Sequence, residues 1–180
     1  TPEDFSKRSQ WRARSWSAIG PLLIAAAKAG LLTHLYVDID NTLTSPRGFH
    51  NTVQQIDQLN EKLLESLNYL LAEEKRMIRN RFYRLVDGLE AGLLKDLRFR
   101  YGVRVVALTA RPRESEDRTL AILGSVGLMD DDEFESFYYP ESEGANAAFD
   151  RIIFTGDPSL KARMLEEDFS ASRNGSEPGK

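Results

Sequence analysis

The sequence contains no cysteine and only two histidines, and these shortages exclude several kinds of site. Without thiols, the chain makes no disulfide, uses no thiolate nucleophile and binds no zinc through cysteine. His34 and His50 are the only imidazoles, so a metal site built from several histidines is excluded as well. The lack of cysteine leaves the redox compartment open. We expect a cytoplasmic location, and the start at Thr1 rather than Met leaves an exported form open.

The chain also lacks a strong charge of one sign and a long apolar run. Its 24 basic and 28 acidic residues give a net charge of −4, so nucleic acid is not an expected partner. The most apolar stretch, residues 16–32, follows a basic run as a signal peptide would. It is interrupted by Gly20, Pro21 and Lys28 and is too short to cross a bilayer. We therefore predict a packed helix in an N-terminal segment, residues 1–32, and no membrane partner.

The most informative motif is LYVDIDNTLT, which runs from Leu35 to Thr44. Its first residues are apolar and β-prone, which predicts a buried strand. Asp38 and Asp40 follow at the carboxyl end of that strand, and two carboxylates there are costly unless a cation compensates for them. In open α/β sheets, this end of a strand is also where ligands bind. The motif therefore predicts a cation or ligand site.

Two further apolar stretches predict strands, one over residues 103–108 and one over residues 151–154. Helical spacing of apolar residues predicts helices over 88–101 and 114–126. This alternation of strands and helices indicates an α/β fold, with a parallel sheet covered by helices on both faces.

The carboxyl ends of parallel strands lie side by side, so the polar residues that follow the three strands are expected to meet. Those residues are Asp38, Asp40, Thr42, Thr109, Arg111, Thr155 and Asp157, with Lys161 one helical turn further on. Carboxylate oxygens suit Mg²⁺, and an aspartate can attack phosphorus to form an aspartyl-phosphate. A second aspartate two residues on projects to the same side and can act as acid and base. The set fits hydrolysis of a phosphate ester, except that a firm second metal carboxylate is missing.

The long segment between the first two strands, about residues 45–87, is predicted to be all-helical. Apolar residues recur at helical spacing over 53–72, and a second helical segment follows. We favour a helical hairpin with a solvated basic face, and a cap that presents cations to an anionic substrate is the alternative. The basic residues are Lys75, Arg76, Arg79, Arg81 and Arg84.

These motifs resemble those of the haloacid dehalogenase (HAD) superfamily of phosphatases and phosphotransferases. VDIDNTLT resembles the first motif, DxDxT, with Asp38, Asp40 and Thr42 at the matching positions. VVALTAR, about seventy residues later, resembles the second motif, with Thr109 as its match. The resemblance covers residues 33–168 and implies a Rossmann-like sheet, Mg²⁺, Asp38 as nucleophile and Asp40 as acid and base. It also implies a cap in the insertion and a small phosphorylated substrate.

The resemblance is weaker toward the end of the chain, and two alignments stay open there. In the first, IIFTGD is the last strand, Asp157 is a metal ligand, and the third-motif cation is Arg151 or is missing. In the second, which we favour, IIFTGD is the third strand and Lys161 is the cation, as in an uncharacterised bacterial branch of the superfamily. That alignment requires a further acidic strand after residue 168, whereas residues 169–180 have the composition of a disordered tail.

Two functions therefore compete. The favoured one is a Mg²⁺-dependent phosphatase that hydrolyses a phosphate monoester through an aspartyl-phosphate. The alternative is a weakly active or inactive HAD-like binding or regulatory module that lacks the last metal carboxylates. Two residues also keep alternative roles: Arg111 binds phosphate or pairs with a nearby acid, and Asp157 binds the metal or caps the next helix.

Overall fold

The computed structural model describes residues 13–46, 83–129 and 147–175, together with the single positions Gln58 and Lys62. Its helices are α1 (Trp16–Lys28), α2 (Glu90–Lys95), α3 (Glu116–Ser125) and α4 (Lys161–Arg173). Its strands are β1 (His34–Val37), β2 (Thr44–Pro46), β3 (Tyr83–Leu85), β4 (Arg104–Thr109) and β5 (Arg151–Phe154). A π-helical stretch, Asp96–Arg100, continues α2, and 3₁₀ turns at Arg113–Ser115 and Pro158–Leu160 lead into α3 and α4.

Three of these strands form a parallel sheet in the order β1-β4-β5. Val37 of β1 lies beside Ala107 of β4, and Thr109 of β4 lies beside Phe154 of β5. The central strand, β4, is buried at five of its six positions, because both of its faces are covered. The predicted α/β fold with a parallel sheet is therefore confirmed for the part of the chain that the structure describes.

Helices pack on both faces of this sheet. On one face, α1, α2 and α3 bury apolar side chains against alternate strand residues such as Val37, Val105 and Ala107. On the other face, Met164 and Leu165 of α4 pack against a smaller cluster that includes Val106, Leu108 and Ile153. Because Val37 faces the first cluster, alternation along the chain turns the next residue, Asp38, toward the face that α4 covers, and Lys161 is the first residue of α4.

The insertion, which is predicted to be all-helical, is bordered instead by a short antiparallel strand pair. Thr44 lies opposite Leu85, and Pro46 lies opposite Tyr83. The expectation that the second helical segment reaches the C-terminal end of the insertion is therefore wrong, because Tyr83 is buried and paired with β2 rather than placed on a helical face. The rest of the predicted cap, with most of its basic residues, lies outside the described residues, apart from the helical positions Gln58 and Lys62.

The C-terminal segment also differs from the predicted disordered tail over residues 169–180, because α4 continues to Arg173. Phe169 packs its ring edge-on against His34, with ring centroids 4.8 Å apart. His34 Nε2 and Ser172 Oγ lie 2.8 Å apart in a hydrogen bond. These contacts with the first residue of β1 stabilise a helical turn that composition alone assigns to a disordered tail.

The apolar N-terminal stretch forms α1, as predicted. The Ser15 side chain caps this helix by accepting a hydrogen bond from the backbone N–H of Ala18, at 3.2 Å. Leu23 and Ala27 of α1 join the main core cluster. Within the described ranges, no helix combines the length and apolarity needed to cross a membrane.

Candidate active site

A tight turn directly after β1 places the two predicted aspartates. The carbonyl oxygen of Ile39 accepts hydrogen bonds from the backbone N–H groups of Leu43 and Thr44, at 2.9 and 3.0 Å. Asn41 sits within this turn in the left-handed region, with φ of 57°, and asparagine tolerates that conformation better than most residues. Ile39 itself is buried, so it anchors the turn while Asp38 and Asp40 on either side stay partly exposed.

Asp38 forms an ion pair with Lys161, the first residue of α4. Lys161 Nζ lies 2.7 Å from Asp38 Oδ1, and the two residues are 123 positions apart in the chain. The same Oδ1 accepts a hydrogen bond from the backbone N–H of Ile39, at 2.9 Å. The side chain of Asp38 remains 41% exposed, so a ligand can reach it. The structure thus brings together the predicted nucleophile and the predicted third-motif cation.

Asp40 forms a second ion pair, with Arg111 from the loop after β4. Arg111 Nη2 lies 2.8 Å from Asp40 Oδ1, and Arg111 Nε lies 3.0 Å from Oδ2. This two-pronged geometry is the strong form of an arginine–carboxylate contact. Arg111 is only 8% exposed, so the pair is partly shielded from solvent. Of the two roles left open for Arg111, the structure shows the pairing with a nearby acid.

The three threonines of the predicted site lie at the strand ends, where they shape the loops. Thr109 is fully buried, and its hydroxyl accepts a hydrogen bond from the backbone N–H of Arg111, at 3.2 Å. The Thr155 hydroxyl donates to the Thr109 carbonyl at 3.0 Å and so ties β5 to β4. The carbonyl of Thr42 accepts from the indole Nε1 of Trp16, at 2.8 Å, which fixes α1 beside the turn. Thr109 therefore contributes to the position of Arg111.

Asp157, the predicted metal ligand, caps the 3₁₀ turn that precedes α4. Its Oδ1 accepts a hydrogen bond from the backbone N–H of Ser159, at 2.8 Å. This hydrogen bond lowers the pKa of the exposed Asp157 carboxyl. The strand before it, β5, is separated from β1 by β4, and strands lie about 4.8 Å apart. Among the described residues, no hydrogen bond or ion pair joins Asp157 to Asp38 or Asp40, and its metal role stays a prediction.

The donor set at the end of β1 can be compared with what Mg²⁺ requires. Mg²⁺ in proteins commonly takes one or two carboxylates and keeps several water or phosphate oxygens. Asp38 Oδ2 has no hydrogen-bond donor among the described residues, so this oxygen is available to a cation. No group of three or more acidic or imidazole side chains suited to a metal occurs within the described ranges. Asp38, with Asp40 beside it, fits the smallest ligand set for Mg²⁺, which is one or two carboxylates.

A second charged cluster, centred on Asp168 of α4, lies away from the aspartate turn. Asp168 is 1% exposed and accepts hydrogen bonds from one side chain on each strand of the sheet. The partners are Tyr36 of β1 at 2.8 Å, Arg104 of β4 at 3.0 Å and Arg151 of β5 at 2.8 Å. Burial alone would raise the pKa of Asp168, but these three partners outweigh burial and hold that pKa below its usual value.

Two neighbours of this cluster have shifted ionisation as well. Burial raises the pKa of Tyr36 above its ordinary value, and the hydrogen bond to Asp168 adds to that shift. Burial lowers the pKa of His34, and the positive charge of Arg104 lowers it further. Sequence reasoning did not single out Asp168. A signal was present, since Asp168 lies three and four positions after Leu165 and Met164 and so continues the apolar face of α4.

Comparison with known proteins adds no relative. No protein-family description, no curated protein and no solved structure matches the chain. The class of site therefore rests on the residues and geometry described above.

Proposed function

We propose that this protein is a Mg²⁺-dependent phosphatase of the HAD type, with a Rossmann-like core, that hydrolyses a phosphate monoester. The observation that carries the proposal is the 2.7 Å contact between Lys161 Nζ and Asp38 Oδ1. It joins two residues that the sequence had assigned to one site from separate motifs. A purely structural ion pair would explain the short distance between Lys161 and Asp38. It would not explain why the pair joins the DxDxT-like turn to the helix after the third strand.

The proposed reaction has two displacement steps. In the first, an oxygen of Asp38 attacks phosphorus, the bond from phosphorus to the leaving oxygen breaks, and Asp40 gives that oxygen a proton. In the second, water attacks the phosphorus of the aspartyl-phosphate while Asp40 takes a proton from that water. The bond between phosphorus and the Asp38 oxygen then breaks, which releases inorganic phosphate and restores both aspartates.

The cations of the site would balance charge during these steps. Lys161, already beside Asp38, is placed to neutralise oxygens of a phosphoryl group bound there. Mg²⁺, when bound, would be held by Asp38, and by Asp40 once its pair with Arg111 loosens, and would neutralise further negative charge on the phosphoryl oxygens. Arg111 occupies both oxygens of Asp40, so proton transfer by Asp40 requires that this pair loosen.

The test is turnover of p-nitrophenyl phosphate with Mg²⁺ by the purified protein and by Asp38→Asn. We expect the variant to lose activity by roughly three orders of magnitude or more, because an amide cannot form the acyl-phosphate. Asp96→Asn is the matched control, since Asp96 is exposed on the π-helical stretch after α2 and should leave turnover unchanged. Equal activity in the two variants would refute Asp38 as the nucleophile.

The alternative, a binding or regulatory module on the same fold, is favoured by one observation. Both aspartates already have a cationic partner, so the four side chains form a neutral set without any ligand. A folded protein that shows no turnover but binds phosphate would support the module over the enzyme. The same assay, combined with a phosphate-binding measurement, therefore separates the two functions.

A further inference from the structure

A cavity of about 380 Å³ lies against β1, and its lining includes the proposed nucleophile, Asp38. Its lining includes four consecutive residues of the chain, Leu35 to Asp38. Successive side chains of a strand point to opposite faces, so a cavity that touches all four must follow the edge of the strand. We call this cavity the β1 groove. Its length along the strand, from Leu35 to Asp38, is about 10 Å.

The β1 groove lies at an open edge of the sheet. β1 is the first strand in the order β1-β4-β5, and its other edge pairs with no strand in the part of the chain that the structure describes. Backbone N–H and C=O groups on such an edge need hydrogen-bond partners whenever an occupant excludes water from them. A purely apolar occupant would leave those groups unsatisfied at a cost.

The opposite wall of the β1 groove is apolar. It is formed by Trp16, Ile19 and Leu23 of α1, with Val86 from the loop after β3. The lining also includes the polar residues Asn41 and Thr42, which follow Asp38 in the turn after β1, and an exposed positive charge, Arg14. An occupant must therefore offer backbone-like hydrogen bonds to the strand, apolar side chains to α1 and a negative group near Asp38.

An extended phosphopeptide meets all three requirements. We infer that the β1 groove binds a phosphorylated polypeptide segment as an added strand, with its phosphorylated residue at Asp38. Main-chain hydrogen bonds to β1 supply the alignment, and alternate side chains of the peptide contact the α1 wall. This inference rests on the proposed phosphatase function and narrows its substrate class from a small phosphate monoester to a phosphoprotein.

The experiment compares a seven-residue peptide of alternating valine and threonine around a central phosphoserine with free phosphoserine and p-nitrophenyl phosphate. Two further peptides carry N-methyl groups on the amides of one edge or of the other edge, because neighbouring amides of a strand point to opposite edges. We expect kcat/KM for the peptide to exceed that for phosphoserine by about tenfold or more. Methylation of one edge should lower it about fivefold per lost hydrogen bond, and methylation of the other edge should not.

Binding is measured separately, so that the groove and the chemistry are tested independently. Trp16 lines the groove, and the chain has two tryptophans, so Trp11→Phe leaves Trp16 as the only indole reporter. In Trp11→Phe combined with Asp38→Asn, the phosphopeptide should shift Trp16 emission, with the same dependence on which edge is methylated. Val86→Asp should weaken peptide binding several-fold by charge repulsion. Leu89→Asp, an equally charged change at an exposed apolar residue outside the lining, should not.

The outcomes distinguish the two proposals. Edge-dependent peptide binding without turnover of any substrate would support the groove and overturn the phosphatase. Turnover of p-nitrophenyl phosphate with no advantage for the peptide, or with both methylated peptides equal to the parent, would overturn the groove. Equal effects of Val86→Asp and Leu89→Asp on peptide binding would also overturn it.

Discussion

Removing the carboxylate of Asp168 should destabilise the protein far more than removing the carboxylate of the adjacent residue, Glu167. In Asp168→Ala, Tyr36 and two arginines lose the one acceptor that joins them, and the positive charges of Arg104 and Arg151 lose their common counter-ion. Breaking a buried ion pair by deleting one partner typically costs about 3–5 kcal/mol. Because both arginines are partly exposed and can be rehydrated, we expect the lower end, about 3 kcal/mol.

The assay is urea unfolding at neutral pH, followed by far-UV circular dichroism. A loss of about 3 kcal/mol is a large part of the 5–15 kcal/mol typical of a domain, so the midpoint should fall clearly while the slope stays unchanged. Glu167→Ala is the matched control, because Glu167 is the adjacent acid on α4 and is 65% exposed. Its pair with Arg163 is a surface i,i+4 contact worth about 0.5 kcal/mol or less.

The result that would refute this reasoning is a similar loss of stability in the two variants. It would mean that solvent and side-chain relaxation compensate for the lost counter-ion of the two arginines. The Asp168 cluster would then not stabilise the packing of α4 on the sheet. A double-mutant cycle with Tyr36→Phe adds a second check. The coupling between the Tyr36 hydroxyl and Asp168 should be about 2 kcal/mol, since the hydrogen bond is partly buried and its acceptor is charged.

Two further predictions concern pH and the turn after β1. The folded pKa values of His34 and Asp168 both lie below their ordinary values of 6.5 and 3.8, so the unfolded chain binds more protons. Urea unfolding as a function of pH should therefore show that the free energy of unfolding decreases as the pH drops below about 6.5, and decreases further below about pH 4. The decrease that begins near pH 6.5 should be absent in His34→Gln. Asn41→Val should cost about 1–2 kcal/mol in the same assay, because a β-branched residue is strained at φ of 57°, whereas Asn41→Gly should be near neutral.

The sheet could be predicted from the sequence because its signals are local. Each strand is a short run of apolar, β-prone residues, and each is followed by helical spacing. Parallel pairing then follows from the alternation, and it brings the strand ends together. The meeting of Asp38 and Lys161 was predictable for that reason, although the two residues are 123 positions apart.

The strand pair β2–β3 could not be predicted in the same way. Each strand has three residues, and their partners are separated by the whole insertion. So short a strand has no detectable periodicity, and its pairing depends on where Ile39 and Leu43 anchor the turn after β1. The helical end of α4 was missed for a related reason, because its support comes from His34, far away in the chain.

The two ion pairs of the candidate site differ in a way that bears on the roles of their acids. Arg111 is buried and holds both oxygens of Asp40, so that carboxylate is fixed in direction by a rigid planar partner. Lys161 contacts a single oxygen of Asp38, and a lysine ammonium adapts readily as a ligand arrives. The more exposed and less constrained acid is thus Asp38, which suits the group that must approach phosphorus. Asp40, oriented but occupied, suits a group that acts only once a substrate has drawn Arg111 away.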